Sequence, residues 1–359
     1  MSDIEIKQEK FGELDDGREV TLFKIENENG MRVDITNYGG IIVRLYVPDI
    51  NGELDDVVLG FDNLEQYFDD PNYFGALVGR YANRIAEAEF ELNGEIIELD
   101  ANEEQAGKPN CLHGGHNGFD SYLWTAEITE LKGDKALKLT HLSEDGEGGF
   151  PGNLKAEVYY VLKADNKLHI EYRAESDEDT VVNMTNHSYF NLKGHGEDRI
   201  TDHLIYINAD YFTPVDEALI PTGEIKEVED TPFDFTAINE LGKTIDADSE
   251  QLEITGGYDH NFVLNKGEEE LSLAARVIET ISGRKMEVYT TEPGLQFYTG
   301  NFIKANTSGK SKKKYKKRGG LCLETQHYPD SPNKEGFPST VLKAGDKYRS
   351  VTEYVFNLM

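Results

Sequence analysis

Glu89-Phe90-Glu91-Leu92-Asn93-Gly94-Glu95-Ile96-Ile97-Glu98-Leu99 is the stretch whose reading decides the fold. Acidic and apolar residues alternate up to Asn93-Gly94 and resume after it, and Asn-Gly supplies the positive φ of a tight turn, so the stretch reads as a β-hairpin. The same period of two recurs outward from it. Arg32-Val33-Asp34-Ile35-Thr36, Lys138-Leu139-Thr140-His141-Leu142, Lys167-Leu168-His169-Ile170-Glu171-Tyr172 and Tyr354-Val355-Phe356-Asn357-Leu358 all read as half-buried strands. Asn29-Gly30, Asn51-Gly52, Asp165-Asn166 and Ser282-Gly283 are further hairpin turns, which makes neighbouring strands antiparallel. Helical candidates are short: Asn63 to Phe68, ended by Pro71, and a stretch around Ala237 to Leu241. The expectation is an all-β chain, a large antiparallel β-sandwich with few short helices. No repeat or Pro/Ser-rich linker divides residues 1–359, so one domain is expected.

Composition narrows the function classes. The chain of 359 residues carries 36 basic and 68 acidic side chains, for a net charge of −32, and 38% hydrophobic residues. Such a charge repels phosphate backbones and anionic lipid, so neither nucleic acid nor membrane is an expected partner, and small neutral molecules fit better. The N-terminal residues have no continuous apolar run of the kind a signal peptide or anchor needs. Cys111 and Cys322 form neither a disulfide framework nor a zinc pattern, and the expected location is the cytoplasm. The composition breaks once, at Lys310 to Arg318, where seven of nine residues are basic. This run reads as a solvated hairpin tip. The adjoining Gly309-Lys310-Ser311 imitates a phosphate-binding loop, but Lys304 stands where that motif requires its first glycine.

Six strand-sized segments end in dense polar clusters: Gly79 to Ile85, Leu112 to His116, Asn183 to Leu192, Gly257 to Phe262, Glu292 to Asn301 and Leu323 to Asp330. Each alone has a plain structural explanation: Gly114 and Gly115 in a turn, Asn83 with Arg84 as a surface pair, His187 as a satisfied core histidine. Together they suit a polyhydroxylated ligand, with aromatic faces covering C–H patches and amides, carboxylates and guanidinium meeting hydroxyls. His113 and His116 have HxxH spacing, but the glycines between them and the lack of a third ligand at suitable spacing argue against zinc. No GxSxG nucleophile elbow occurs.

Six motifs in this order resemble the aldose 1-epimerase (galactose mutarotase) family: Gly79-Arg80-x-Ala82-Asn83-Arg84-Ile85, Leu112-His113-Gly114-Gly115, Thr185-Asn186-His187-x-Tyr189-Phe190-Asn191-Leu192, Tyr258-Asp259-His260-Asn261-Phe262, Glu292-Pro293-Gly294-x-Gln296-Phe297-Tyr298-Thr299-Gly300-Asn301 and Leu323-Glu324-Thr325-Gln326-His327-x-Pro329-Asp330. The resemblance implies a galactose mutarotase-like supersandwich with a shallow sugar cleft, and interconversion of the α and β anomers of free aldoses such as galactose and glucose. It implies Glu324 as the base that takes the C1 hydroxyl proton and His187 as the acid that protonates the ring oxygen, with no cofactor. Asn83, Arg84, His113, Asp259 and Gln296 match its substrate-contacting positions, while Arg80, Trp124 and Tyr189 are expected to be structural. Two other readings stand behind it: an epimerase for hexose 6-phosphates or an unusual sugar, and a sugar-binding protein without turnover. A glycosidase is weaker still, because it would pair two carboxylates. Preferred aldose, oligomeric state and pathway are not encoded legibly.

Overall fold

In a computed structural model, which describes residues 4–359 except 69, 198, 268, 269 and 306, the hairpin forms as its alternation requires. Glu89–Leu92 pairs antiparallel with Glu95–Glu98, and Leu92 lies opposite Glu95 across Asn93-Gly94. Phe90 and Leu92 turn inward while the glutamates stay in water. The other turn dipeptides behave alike: Asn166 and Gly283 take positive φ and join neighbouring strands.

The largest sheet has nine strands in the order Thr125–Leu131, Asp134–Ser143, Leu154–Leu162, Lys167–Ser176, Lys347–Leu358, Arg284–Thr290, Ser272–Ile278, Leu204–Ile207 and Asn239–Glu240. Every pairing in it is antiparallel. Its inner face carries Leu139, Val158, Tyr172 and Tyr354, which pack in one core with Val33 and Leu45 of the N-terminal five-stranded sheet. Its outer face carries ion pairs, such as Glu171 with Arg173 and Arg349, beside a small buried cluster of Leu131, Ala136, Tyr159 and Val161, so most of the hydrophobic burial lies on the inner side. A second five-stranded sheet, ordered Lys226–Glu227, Tyr211–Thr213, Asp259–Val263, Gly294–Tyr298 and Cys322–Gln326, joins the same core through Phe262, Leu295, Phe297 and Leu323.

Three expectations change. The first helical candidate shrinks to the 3₁₀ turn Leu64–Gln66, and the second becomes the strand Asn239–Glu240 followed by the 3₁₀ turn Leu241–Lys243. Neither segment has enough apolar periodicity to sustain a longer helix. The α-helix of the described residues is instead Glu250–Thr255, ended by Gly256 in the left-handed conformation. The basic run does form a hairpin, Thr307–Ser308 with Lys314–Tyr315, but its ends are not solvated. Lys310 is 1% exposed and donates to Asp56 Oδ2 at 2.5 Å and to the carbonyls of Val43 and Val58. Arg318 clasps Asp246 with two hydrogen bonds. Among the described residues no helix is long and apolar enough to cross a membrane.

Candidate active site

The floor of the site follows from strand register. Asp259 lies opposite Tyr298, and Tyr298 opposite Cys322; Asn261 lies opposite Gln296, and Gln296 opposite Glu324. Side chains directly opposite each other share a face, as do residues two apart, so these six crowd one face of three neighbouring strands. The intervening Phe262, Leu295, Phe297 and Leu323 face the core. Gly294 ends this row because a Cβ there would stand 2.3 Å from Asn261 Oδ1.

The opposite wall comes from chain ends beside short strands. Arg84 starts the strand Arg84–Ala86, paired with Lys108–Leu112, and Asn83 and His113 sit just outside the pair with φ of 63° and 54°. They hold each other: His113 N–H donates to the Asn83 carbonyl at 3.0 Å, and Asn83 N–H donates to His113 Nδ1 at 3.1 Å. Gly114 follows at φ 95°, packed so closely on Gly79 that a Cβ would lie 2.1 Å from its carbonyl oxygen. His187 follows the two-residue strand Thr185–Asn186; its N–H donates to the Ala76 carbonyl and its own carbonyl accepts from Gly75.

Six of the seven sequence-derived candidates, Asn83, Arg84, His113, His187, Asp259 and Glu324, line one cavity of about 350 Å³, and the seventh, Gln296, lies behind that lining, bonded to Asp259. His187 Nε2 stands 3.6 Å from Glu324 Oε1, and His187 Nδ1 stands 3.5 Å from Cys322 Sγ. Gln296 donates to Asp259 at 2.7 Å. Arg84 makes a two-pronged contact with Glu103, both bonds 2.7 Å, so it is a buried residue and not half of a surface pair. Gln296 Oε1 and Glu324 Oε2 are buried without a protein partner, which leaves acceptors free for hydroxyl groups.

Arg80 and Trp124 are structural: Arg80 donates to four backbone carbonyls and the Ser143 hydroxyl, and Trp124 Nε1 donates to the Phe119 carbonyl. Tyr189, expected to be structural, lines the cavity and stacks on His187 with ring centroids 5.0 Å apart. Sequence reasoning missed Tyr73 and Glu103, both in the wall. Tyr73 sits edge-on to His113 at 4.7 Å, and the Pro71 before it carried only a helix-stop signal. Glu103 gave no signal in the sequence.

Burial dominates the electrostatics. It pushes Glu324 well above the usual carboxylate range, Asp259 pushes it further in the same direction, and Arg84 partly offsets both. Burial takes His187 down to about 4, and burial, then the charges of His187 and Arg84, take His113 well below its ordinary value. Asp259 is raised by burial and partly restored by Arg84 and Gln296. Burial thus disfavours the charged form of both Glu324 and His187, and at this separation the two titrate as a coupled pair.

His113, His187 and Glu324 offer ligand atoms within 4.8 Å of one another, a spacing that invites a cation. The tautomer of His113 refuses it. Its Nδ1 accepts the Asn83 N–H, so the proton of the neutral ring is on Nε2 and no lone pair faces the cleft. His113 therefore carries an N–H at Nε2. His116, its HxxH neighbour, is exposed and outside the cavity.

The sequence matches the family described as aldose 1-epimerase over residues 21–355. It is 46% identical over 356 residues to a galactose mutarotase of Bos taurus, covering 99% of both chains. It is 38% identical to an aldose 1-epimerase of Escherichia coli K12, covering 95% of this chain and 96% of that one. The crystal structure of a galactose 1-epimerase from Lactobacillus acidophilus superposes with a TM-score of 0.86 at 29% identity, covering 99% of each.

Proposed function

The chain belongs to the aldose 1-epimerase family, and from that premise we propose that its cleft converts the α and β anomers of free galactose and glucose into one another, with Glu324 and His187 as base and acid. The observation that carries the assignment is the 3.6 Å approach of these two side chains inside one buried cavity. Both oxygens that exchange protons, O1 and the ring O5, are bonded to C1, so the two catalytic groups must stand a few ångströms apart.

In ring opening, the Glu324 carboxylate takes the O1–H proton while the electrons of that bond form the C1 carbonyl. The C1–O5 bond breaks and O5 receives the Nε2 proton of His187. The aldehyde turns about C1–C2, and closure on its other face returns the O5 proton to His187 and the Glu324 proton to O1. Such proton transfers are each worth roughly 10²–10⁴-fold. The one-proton pair serves both directions: carboxylate with imidazolium opens the ring, and carboxylic acid with neutral imidazole closes it. Burial favours the uncharged arrangement, which is the one that accompanies the open aldehyde.

Asn83, Arg84, His113, Asp259 and Gln296 orient the hydroxyls, His113 through its fixed Nε2–H. No step calls for a metal or cofactor. Two buried free thiols suit a reducing compartment, which supports a cytoplasmic setting.

Polarimetry tests the proposal. Freshly dissolved α-D-galactose and α-D-glucose should reach anomeric equilibrium faster with this protein than in buffer, and the acceleration should vanish with Glu324→Gln. No acceleration of either sugar by folded protein would sink the reading.

A further inference from the structure

We propose that Cys322 is a positioning residue for the acid: its sulfur receives the Nδ1 proton of His187, leaving Nε2 as the ring nitrogen that trades a proton with the sugar. The proposal rests on the reading of His187 as proton donor and adds what selects the working nitrogen.

The geometry is that of a two-point grip from one strand. Cys322 and Glu324 are two residues apart on Cys322–Gln326 and share a face. The sulfur lies 3.5 Å from Nδ1 and the carboxylate 3.6 Å from Nε2, so one strand addresses both nitrogens of the same ring. Tyr189 stacks on that ring at 26°, holding its plane. Cys322 is fully buried and outside the cavity lining, which keeps water from competing at Nδ1, while His187 and Glu324 border the cavity.

The reaction demands this arrangement. When imidazolium gives up its Nε2 proton to O5, the neutral ring must keep its remaining proton on Nδ1, or it has no lone pair at Nε2 to take the proton back on closure. Nδ1–H therefore needs an acceptor through the whole cycle. A thiol donating its S–H to Nδ1 would fix the opposite tautomer and stall the reverse transfer. Sulfur is also a weak acceptor, so it orients the proton without stabilising the cation strongly.

The same molecule holds the contrasting case. His327 Nδ1 faces the Glu292 carboxylate at 2.6 Å, and that histidine is shifted upward, whereas His187, with sulfur in the corresponding place, is shifted downward. A hydrogen bond from His187 to its own main chain offsets only part of that descent.

The test combines histidine ¹⁵N NMR of the full chain with pH profiles of kcat/KM for wild type, Cys322→Ser and Cys322→Ala. In wild type the neutral His187 ring should be protonated on Nδ1. The serine oxygen is a stronger acceptor and should move the profile up by about half to one pH unit. The alanine variant should mix the tautomers and lower kcat about tenfold at nearly constant KM. A His187 ring protonated on Nε2 in wild type would overturn the proposal, as would a serine variant whose profile stays in place. The NMR result does not depend on turnover, so it separates failure of this contact from failure of the epimerase reading. The near-isosteric serine variant carries the kinetic arm even if the alanine variant does not fold.

Discussion

Glu324, the proposed base, is 2% exposed. Replacing it with glutamine keeps the shape and hydrogen-bonding reach but removes the basic site, so sugar binding should persist while turnover falls by roughly 10²–10⁴; polarimetric kcat and KM measure this. His187→Asn should fall comparably. Asp259→Ala removes the acceptor for Gln296 and leaves that amide unpaired, so KM should rise and kcat fall, each on the order of tenfold. The pair also sets a pH dependence. Activity needs one proton on it. Below the His187 value of about 4 a second proton arrives, and above the raised Glu324 value the last one leaves. A bell-shaped kcat/KM profile is expected, with its acid limb near pH 4 and its alkaline limb well above the ordinary carboxylate range. A single limb at the ordinary histidine value would contradict this.

At the scale of elements, the strands were legible because alternation is a local property. Arg32–Thr36 forms with the bounds read from its pattern, and the Asn93-Gly94 hairpin closes in the expected register. The helices were not legible. Glu250–Thr255 has too few residues to establish a period, and its packing comes from tertiary contacts through Leu252. The seven candidate residues were named through motif resemblance; the gathering of six of them on one cavity depends on cross-strand register that no single segment encodes. Glu103 was invisible because its role is the partner it meets, Arg84, which is fixed by a separate strand pair. Gly114 shows how an element can demand one residue type. Its φ of 95° and the 2.1 Å approach of a Cβ to the Gly79 carbonyl predict that Gly114→Ala destabilises the fold by about 1–3 kcal/mol. Because His113 is the adjacent residue, activity should also drop; urea unfolding and polarimetry read the two effects.

At the scale of the molecule, the basic run illustrates how far composition can mislead. Seven cationic side chains in a chain of net charge −32 look like a surface device, yet Lys310 is wholly enclosed and binds the hairpin to the first sheet through Asp56. Burial depresses the lysine, and the aspartate partly compensates. Lys310→Ala would strand Asp56 without its counter-ion and should lower unfolding stability by about 3–5 kcal/mol. A loss below 1 kcal/mol in urea melts would mean that the pair merely coexists with the fold.

The two-faced strands beneath the cleft also constrain descent. Along Cys322–Gln326 the chemistry sits on one face and the packing on the other, so a shift of one residue would exchange Glu324 for Leu323 or Thr325 and empty both at once. A one-residue insertion or deletion there would turn Glu324 away from the cleft. The lip, where Tyr73, Phe302 and Lys304 border the cavity without belonging to those strands, is free of that constraint on register. The floor tolerates no change of length, whereas the rim can change length without moving the acid and base.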